Sequence, residues 1–347
     1  IWKHRKKIMN VIIPMAGMGT RLRPLTLVTP KPLIKLAGRT IIYRIVDYLC
    51  NNVVLESELK KVAFILQKES PVIEKYLKEE LANKFSFKVL FFYQRKPEGT
   101  AHAIYCAKEI LKGKVLVLFS DTLFFIKQKI NILNEDSDGA ILVKEVADPS
   151  QYGVVTLNEQ EVVTSFVEKP KNPKSNLAII GVYFFQEGRH VLSEIENIIA
   201  NGDKEKNEYQ LTTVLKNLTK KGKNFKSIKV NDWLDCGNPE QLIKTNTYLL
   251  NRYKSQKKLK EKYGAQIIHP VYIGRNVIIK SSKIGPNVSI EDGVTIKNSV
   301  IKNTIIQNNT IIIDANFNHS LIGKYVNYMK NYQSVNIGDY SNFQDDV

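Results

Sequence analysis

Between Val11 and about Tyr253, short β-branched apolar runs alternate with stretches of helical periodicity. The runs fall at residues 11–13, 62–66, 89–93, 115–119 and 141–146, and the helical patterns at 41–51, 71–81 and 101–111. Strands that are apolar nearly throughout, alternating with helices, predict an α/β unit on a largely parallel, buried sheet. In such sheets ligands bind beyond the carboxyl ends of the strands, so chemistry is sought in the residues after each run. An amphipathic helix with a lysine-rich end is expected at 242–262, leading into a different texture. There Val288, Val294, Val300, Ile306 and Ile312 recur every six residues, and Ile284, Ile290 and Ile296 form a second register. Val271 and Val277 take the same step earlier. Branched residues at this period, separated by Gly, Asn, Asp and Ser, predict a parallel β-helix with about three coils of repeat.

Composition narrows the setting. The 347 residues are 43% hydrophobic and 24% charged, enough for two folded domains with a substantial core. The net charge of +17 suits anionic partners such as nucleotides, sugar phosphates, nucleic acid or a membrane surface, without choosing among them. The charges are scattered rather than ranged along one periodic face, so no nucleic-acid partner is expected. Cys50, Cys106 and Cys236 form neither a disulfide framework nor a CxxC knuckle, and the five histidines are not paired at ligand spacing. No apolar run reaches the roughly 18–20 residues that cross a bilayer. The basic start is followed by an apolar stretch that stops at Pro14, too short for a signal peptide. A cytoplasmic protein without a membrane partner is expected. Met9 reads as the initiator, which makes residues 1–8 an extension.

The first strand runs into Pro14-Met15-Ala16-Gly17-Met18-Gly19-Thr20-Arg21-Leu22-Arg23-Pro24-Leu25-Thr26, followed by Pro30-Lys31-Pro32. Two glycines let the backbone bend close to a ligand, and amides exposed after a strand bind phosphate oxygens. Arg21 and Lys31 bring positive charge to the same stretch. The loop lacks the third glycine of a dinucleotide fingerprint and the Gly-Lys-Ser/Thr ending of a P-loop, which excludes both. An ordinary tight turn remains the alternative for the loop alone. Lysines and arginines beside prolines are usually solvated, and an Asp after a strand is most often a turn or cap residue.

Further stretches follow in order: Gln94 with Gly99-Thr100-Ala101-His102-Ala103, Ser120-Asp121, Tyr152-Gly153-Val154-Val155, Val167-Glu168-Lys169-Pro170, residues 176–183 and 208–212, and Trp233-Leu234-Asp235-Cys236-Gly237. Together with residues 11–32 they resemble the sugar-phosphate nucleotidyltransferases, also called nucleotide-sugar pyrophosphorylases, over residues 9–253. The resemblance implies a Rossmann-like α/β catalytic domain at 9–253, a linker at 254–266 and a short left-handed β-helix with a C-terminal tail at 267–347. It implies transfer of a nucleotidyl group from a nucleoside triphosphate to a sugar 1-phosphate, with release of pyrophosphate. By the family's pattern Arg21 grips the leaving pyrophosphate, Lys31 the phosphates at the reacting centre, and Lys169 the sugar phosphate. Ala16, Gly17, Gly19, Thr20, Gln94, Gly99 and Thr100 would bind the nucleotide, and Gly153, Glu168, Lys169 and Gly181 the sugar. Asp121 and Asp235 would hold Mg²⁺, a hard cation suited to carboxylate oxygens. His102, opening a helix, reads as a capping or packing residue. The sequence departs from the family pattern at Ser120, where Gly is usual, and at Thr213, where Asp is common.

Within the family, Gly99-Thr100-Ala101 resembles the uridylyltransferases and the longer enzymes with β-helix tails. The chain as a whole is most similar to long-form glucose-1-phosphate thymidylyltransferases, giving dTTP and glucose 1-phosphate as the first expectation. Thymine and uracil differ by one methyl, worth about 1–3 kcal/mol in an apolar pocket, so UTP with glucose or N-acetylglucosamine 1-phosphate stands beside it. GTP with mannose 1-phosphate is a further alternative. A non-catalytic regulatory subunit with the same two-domain layout is a rival from another class. The presence of Arg21, Lys31, Asp121, Lys169 and Asp235 argues against it. With only His269 and His319 at hand, the short tail is expected to serve homo-oligomerisation or regulation rather than acyl transfer.

Overall fold

The computed structural model describes residues 8–17, 19–82, 84–134, 136–252 and 265–329. Most of the expected N-terminal extension and linker, and the C-terminal tail from 330, lie outside the described residues. Backbone contacts divide the chain into two compact units, Ile1–Gly17 with Ile45–Trp233, and Met18–Arg44 with Leu234–Val347.

The first unit is built on a nine-stranded mixed sheet. Its centre is four parallel neighbours, in the order Lys114–Leu118, Met9–Pro14, Leu59–Leu66 and Lys88–Tyr93. Leu177–Phe185 joins them antiparallel beside Lys114–Leu118, and carries Gly139–Glu145 and Gly153–Leu157 as further antiparallel partners. Val163–Glu168 pairs with Gly153–Leu157, and Phe225–Lys229 runs parallel to Gly139–Glu145. Most of the apolar runs are the buried strands that periodicity predicts, with Val11, Ile12, Ile13, Ala63, Phe64 and Val115 to Leu118 all inaccessible. Lys88–Tyr93, at the sheet edge, is only partly buried along its length.

Helices cover one face. In Gly188–Asn201 the buried Val191, Ile195 and Ile198 stand at helical spacing, as do Leu211, Val214, Leu215 and Leu218 in Leu211–Lys220. Both pack in one cluster with Ile12, Val117 and Ile141 of the sheet. The helix expected at 101–111 is shorter than its pattern. It spans Thr100–Tyr105, and Lys108–Ile110 is a separate 3-10 turn closed by the Leu111 N–H on the Lys108 carbonyl.

Register decides what gathers at the sheet edge. Val182 pairs with Leu118, the last residue of its strand, so residues 177–181 run on past the carboxyl edge of the parallel strands. Ala178 on that overhang pairs with Val154, and Gly153 pairs with Glu168. Gly153 and Glu168 therefore stand at the edge where Met9–Pro14, Lys88–Tyr93 and Lys114–Leu118 end.

In the second unit, twelve short strands form three parallel sheets of four, the architecture expected of a left-handed β-helix and one coil longer than the repeat signal. Its core is the branched ladder Ile267, Val271, Ile284, Val288, Ile290, Ile296, Ile301, Ile306 and Ile312. Corners fall at Asn276, Asn287, Asn298, Asn303 and Asn309, all at positive φ, a region that Asn tolerates better than most side chains. The strict six-residue step does not hold throughout. Val271 pairs with Val288, seventeen residues on, whereas Ile290 pairs with Ile306 and Ile296 with Ile312, sixteen on. Coils shorter than eighteen residues slide the register, so Val300 is 45% exposed and Ile301 takes the inward place. Helix Pro239–Arg252 precedes these coils, starting three residues ahead of the 242–262 pattern, whose part from 253 lies outside the described residues. Among the described residues, no helix is long and apolar enough to cross a membrane.

This register makes an asymmetric prediction. Ile301→Asp places an unpaired carboxylate in the core and is expected to cost more than about 3 kcal/mol, while Val300→Asp changes stability by less than about 0.5 kcal/mol. Urea melts of both variants check it.

Candidate active site

Three groups of the predicted residues assemble in the first unit. Gln94 follows its strand and is 5% exposed, with its N–H on the Leu66 carbonyl at 2.8 Å. Its side-chain Nε2 donates to the Gly99 carbonyl at 2.9 Å and lies 3.1 Å from His102 Nδ1. Gly99 has φ +106, and a Cβ there would come within 2.5 Å of the Tyr209 carbonyl oxygen. The close approach is fastened on both sides, by the Tyr209 N–H on the Glu98 carbonyl and the Ala101 N–H on the Tyr209 carbonyl. Only glycine fits. Thr100 Oγ1 accepts the Leu211 N–H at 2.9 Å and contacts Gln210 Oε1 at 3.2 Å, capping the helix Leu211–Lys220 from a distant segment. Gln94, Gly99 and Thr100 are thus brought together, and His102 stands beside them with its Nε2 3.4 Å from Glu98 Oε2.

Asp121 lies in the turn between Lys114–Leu118 and Thr122–Phe125. The turn is held by the Phe119 N–H on the Gly181 carbonyl at 2.9 Å and by Thr122 Oγ1 on the Ile180 carbonyl at 2.7 Å. Gly181, expected at the sugar, has φ +85, and a Cβ would stand 2.8 Å from the Phe119 ring. Its smallness lets Phe119 pack, so in this structure it supports the Asp121 turn.

The third group surrounds Glu168. Its carboxylate accepts from Thr212 Oγ1 at 3.1 Å, and the Lys169 ammonium stands 3.9 Å away. A Cβ on Gly153 would come to 3.3 Å from Glu168 Oε2 and 3.1 Å from Thr212 Cγ2, so glycine keeps room beside the carboxylate. Burial raises the Glu168 carboxyl above its ordinary value, with Thr212 and Lys169 pulling it partly back. Lys169 has φ +46, an unusual backbone for a residue with a side chain, and its N–H is tied to the Tyr152 carbonyl at 3.0 Å. The Lys169 side chain is half exposed and reaches out from this fixed backbone. Tyr152 meets Trp233 edge to face at 4.7 Å.

Sequence reasoning gave no role to Thr212 or Lys206. Thr212 lies in the 208–212 stretch already singled out. Lys206 Nζ, 3.4 and 3.3 Å from the Glu168 and Lys169 carbonyls, carries no motif signal at all. Ala16 and Gly17 follow the first strand; Gly17 is exposed and has open space where a Cβ would stand.

The second unit holds the remaining residues. Gly19 at φ +59 starts the 3-10 turn Thr20–Leu22, Thr26 Oγ1 donates to its carbonyl at 2.7 Å, and Leu22 anchors the turn in the interior. A Cβ on Gly19 would stand 3.2 Å from Thr26 Cγ2 and 3.4 Å from Lys31 Cβ, so this turn and the Lys31 segment are in close contact. Thr20 and Arg21 are exposed, and Lys31, half-buried, opens the turn Lys31–Leu33 ahead of buried Pro32 and Leu33. Asp235 ends its strand, with Oδ1 accepting the Gly237 N–H at 2.8 Å.

The nucleotidyl transferase family model matches residues 10–252. The chain is similar to the bifunctional protein GlmU of Methanococcus aeolicus, 35% identical over 295 residues, covering 83% of this chain and 62% of that protein. It therefore spans less than two thirds of that relative's length. It is also similar to the mannose-1-phosphate guanylyltransferase catalytic subunit beta of Drosophila melanogaster, 31% identical over 282 residues, covering 80% of this chain and 71% of that one. In fold it resembles a UDP-glucose pyrophosphorylase solved with UDP-glucose, at a TM-score of 0.60 and 22% identity, over 71% of this chain and 99% of that one.

The Glu168 environment predicts a pH effect. A carboxyl that binds its proton more tightly folded than unfolded favours the fold most at low pH. Stability is lost as pH rises from the unfolded value, about 4.3, to the raised folded value, and is level above that. Glu168→Gln should flatten this decline in thermal melts, and Thr212→Val, which removes a hydrogen bond to the carboxylate, should extend it to higher pH. Wild-type curves from both variants would contradict the assignment.

Proposed function

The chain belongs to the nucleotidyl transferase family, and from that premise we propose that it joins a nucleoside triphosphate to a sugar 1-phosphate, forming a nucleotide sugar and pyrophosphate. The observation that carries this reading is the shared sheet edge. Gln94 with Gly99 and the Asp121 turn follow strands that end there, and the Gly153–Glu168–Lys169 group stands at the same edge, where one strand begins and its antiparallel partner ends.

The chemistry asks little of the protein beyond placement and charge. A phosphate oxygen of the sugar 1-phosphate attacks the α-phosphorus in line with the departing pyrophosphate. That nucleophile is already anionic, so neither a side-chain base nor a covalent intermediate is needed. In this reading Lys169 holds the sugar phosphate, and the half-buried Glu168 carboxylate accepts from a sugar hydroxyl in the space that Gly153 leaves. Gln94 and the Gly99 backbone read the base, and amides of the Ala16 to Thr20 loop take phosphate oxygens. Lys31 pairs with the phosphates at the reacting centre, and Arg21 with the pyrophosphate that leaves.

Asp121 and Asp235 are the carboxylates we assign to Mg²⁺. Among the described residues no group of three or more His, Cys, Asp or Glu could hold a metal unaided. Two carboxylates with substrate phosphates and water are a donor set that fits Mg²⁺. When bound, the ion neutralises phosphate charge.

For the substrate pair, the sequence favours dTTP with glucose 1-phosphate. The similarity to a mannose-1-phosphate guanylyltransferase subunit supports GTP with mannose 1-phosphate as a second reading. A pyrophosphate-release screen crossing five nucleoside triphosphates with glucose, mannose, galactose and N-acetylglucosamine 1-phosphates separates them. Release with one pair is expected, and Lys169→Gln should lower kcat/KM for that sugar phosphate about a hundred-fold with a much smaller change in the nucleotide KM. No release with any pair contradicts the proposal.

A further inference from the structure

The hairpin of Lys35–Leu36 and Arg39–Thr40 begins four residues after Lys31 and lies in the same compact unit as the β-helix. The two are joined by a line of buried polar side chains. Gln307, 2% exposed, accepts the Lys35 N–H at 3.3 Å and donates to the Lys35 carbonyl at 2.9 Å, satisfying both backbone groups of one residue. Ser289, wholly buried, accepts the Ala37 N–H at 3.2 Å and donates to Asn246 Oδ1 at 2.6 Å. Glu291, 1% exposed, accepts the Gly38 N–H at 3.0 Å, and the Lys35 ammonium is 4.0 Å from its other oxygen.

These side chains belong to one sheet of the β-helix. Ser289 lies in the strand Val288–Ile290, Glu291 follows it, and Gln307 follows the neighbouring Ile305–Ile306. On the next strand Tyr272 closes the contact, since a Cβ on Gly38, at φ +83, would lie 2.3 Å from its ring. On the hairpin side, Arg44 donates to the Leu36 and Ala37 carbonyls at 2.7 Å each. A β-helix has no need of buried Gln and Glu for its own core, which here is branched and apolar. Burial pushes the Glu291 carboxyl up to about 7 against the pull of Lys35 and the Gly38 N–H, so placing it there is costly.

We propose that the β-helix is a working part of the catalytic loop: Gln307, Ser289 and Glu291 are positioning residues that hold the 35–40 hairpin by its backbone, and through it Lys31. The link is short. The Ile34 N–H bonds the Lys31 carbonyl at 3.1 Å, and the Ile41 N–H bonds the Ile34 carbonyl at 3.1 Å, so Lys31 and the clamped hairpin form one hydrogen-bonded stretch. The tail thus has a role apart from the expected oligomerisation or regulation. The kinetic half of this inference rests on the proposed nucleotidyl transfer, and the structural half does not.

The test uses the full chain as wild type, Glu291→Ala, Gln307→Ala and Glu291→Gln, which keeps an acceptor for the Gly38 N–H. Hydrogen exchange is read in peptides spanning 31–41, and in 294–302 as a check on folding. In both Ala variants the 31–41 amides should exchange about ten-fold faster with 294–302 unchanged. Under the same conditions kcat should fall about ten-fold or more while the KM for the sugar 1-phosphate stays within about two-fold. Glu291→Gln should restore both. Unchanged exchange in both Ala variants, or faster exchange with wild-type kcat, overturns the inference. If wild type releases no pyrophosphate with any sugar phosphate, the functional reading falls, and the exchange rates alone decide whether the β-helix holds the hairpin.

Discussion

Parallel strand pairing is the constraint from which the rest of the first unit follows. Strands that run the same way end at the same edge, so the residues after them are collected there whatever their distance in sequence. Residues near 15, 94 and 121 meet this condition through three of the four parallel strands at the centre of the sheet. The antiparallel strand Leu177–Phe185 extends the arrangement by running past that edge, bringing Gly153 and Glu168 to the same level. Gly181 marks where the overhang begins, at a break in the strand's register.

The second unit works by another rule. A β-helix stacks coils whose inward residues are interchangeable branched side chains, and its outward positions are free to carry other tasks. One outward sheet has been given Ser289, Glu291 and Gln307, whose hydrogen bonds satisfy the backbone of a hairpin from the other end of the sequence. Buried polar groups that are hydrogen-bonded fix one arrangement where apolar contact would allow several.

Much of this was legible in the sequence. The apolar runs gave the strands to within a few residues, and the hexapeptide period gave the β-helix, because both depend on local side-chain spacing. Val300 escaped that logic. Its step matches the repeat, but coils of sixteen and seventeen residues move the inward place to Ile301. The residues of the Glu168 group were legible through motifs, whereas Thr212 and Lys206 join it only through tertiary placement. Gly99 and Gly181 were marked as ligand-facing. Their geometry ties one to the Tyr209 backbone and the other to the Phe119 ring, which no local pattern reveals. The hairpin clamp was invisible for the same reason, since its partners are more than 250 residues apart.

The account's central claim is that fixed charge and placement, with no nucleophile of the protein's own, bring two phosphorylated substrates to react. Isotope exchange addresses this directly. The protein is incubated with its nucleoside triphosphate and labelled pyrophosphate, with and without sugar 1-phosphate. Direct displacement predicts label in the triphosphate only when the sugar phosphate is present. Label appearing without it would require a nucleotidyl–protein intermediate and would contradict the account.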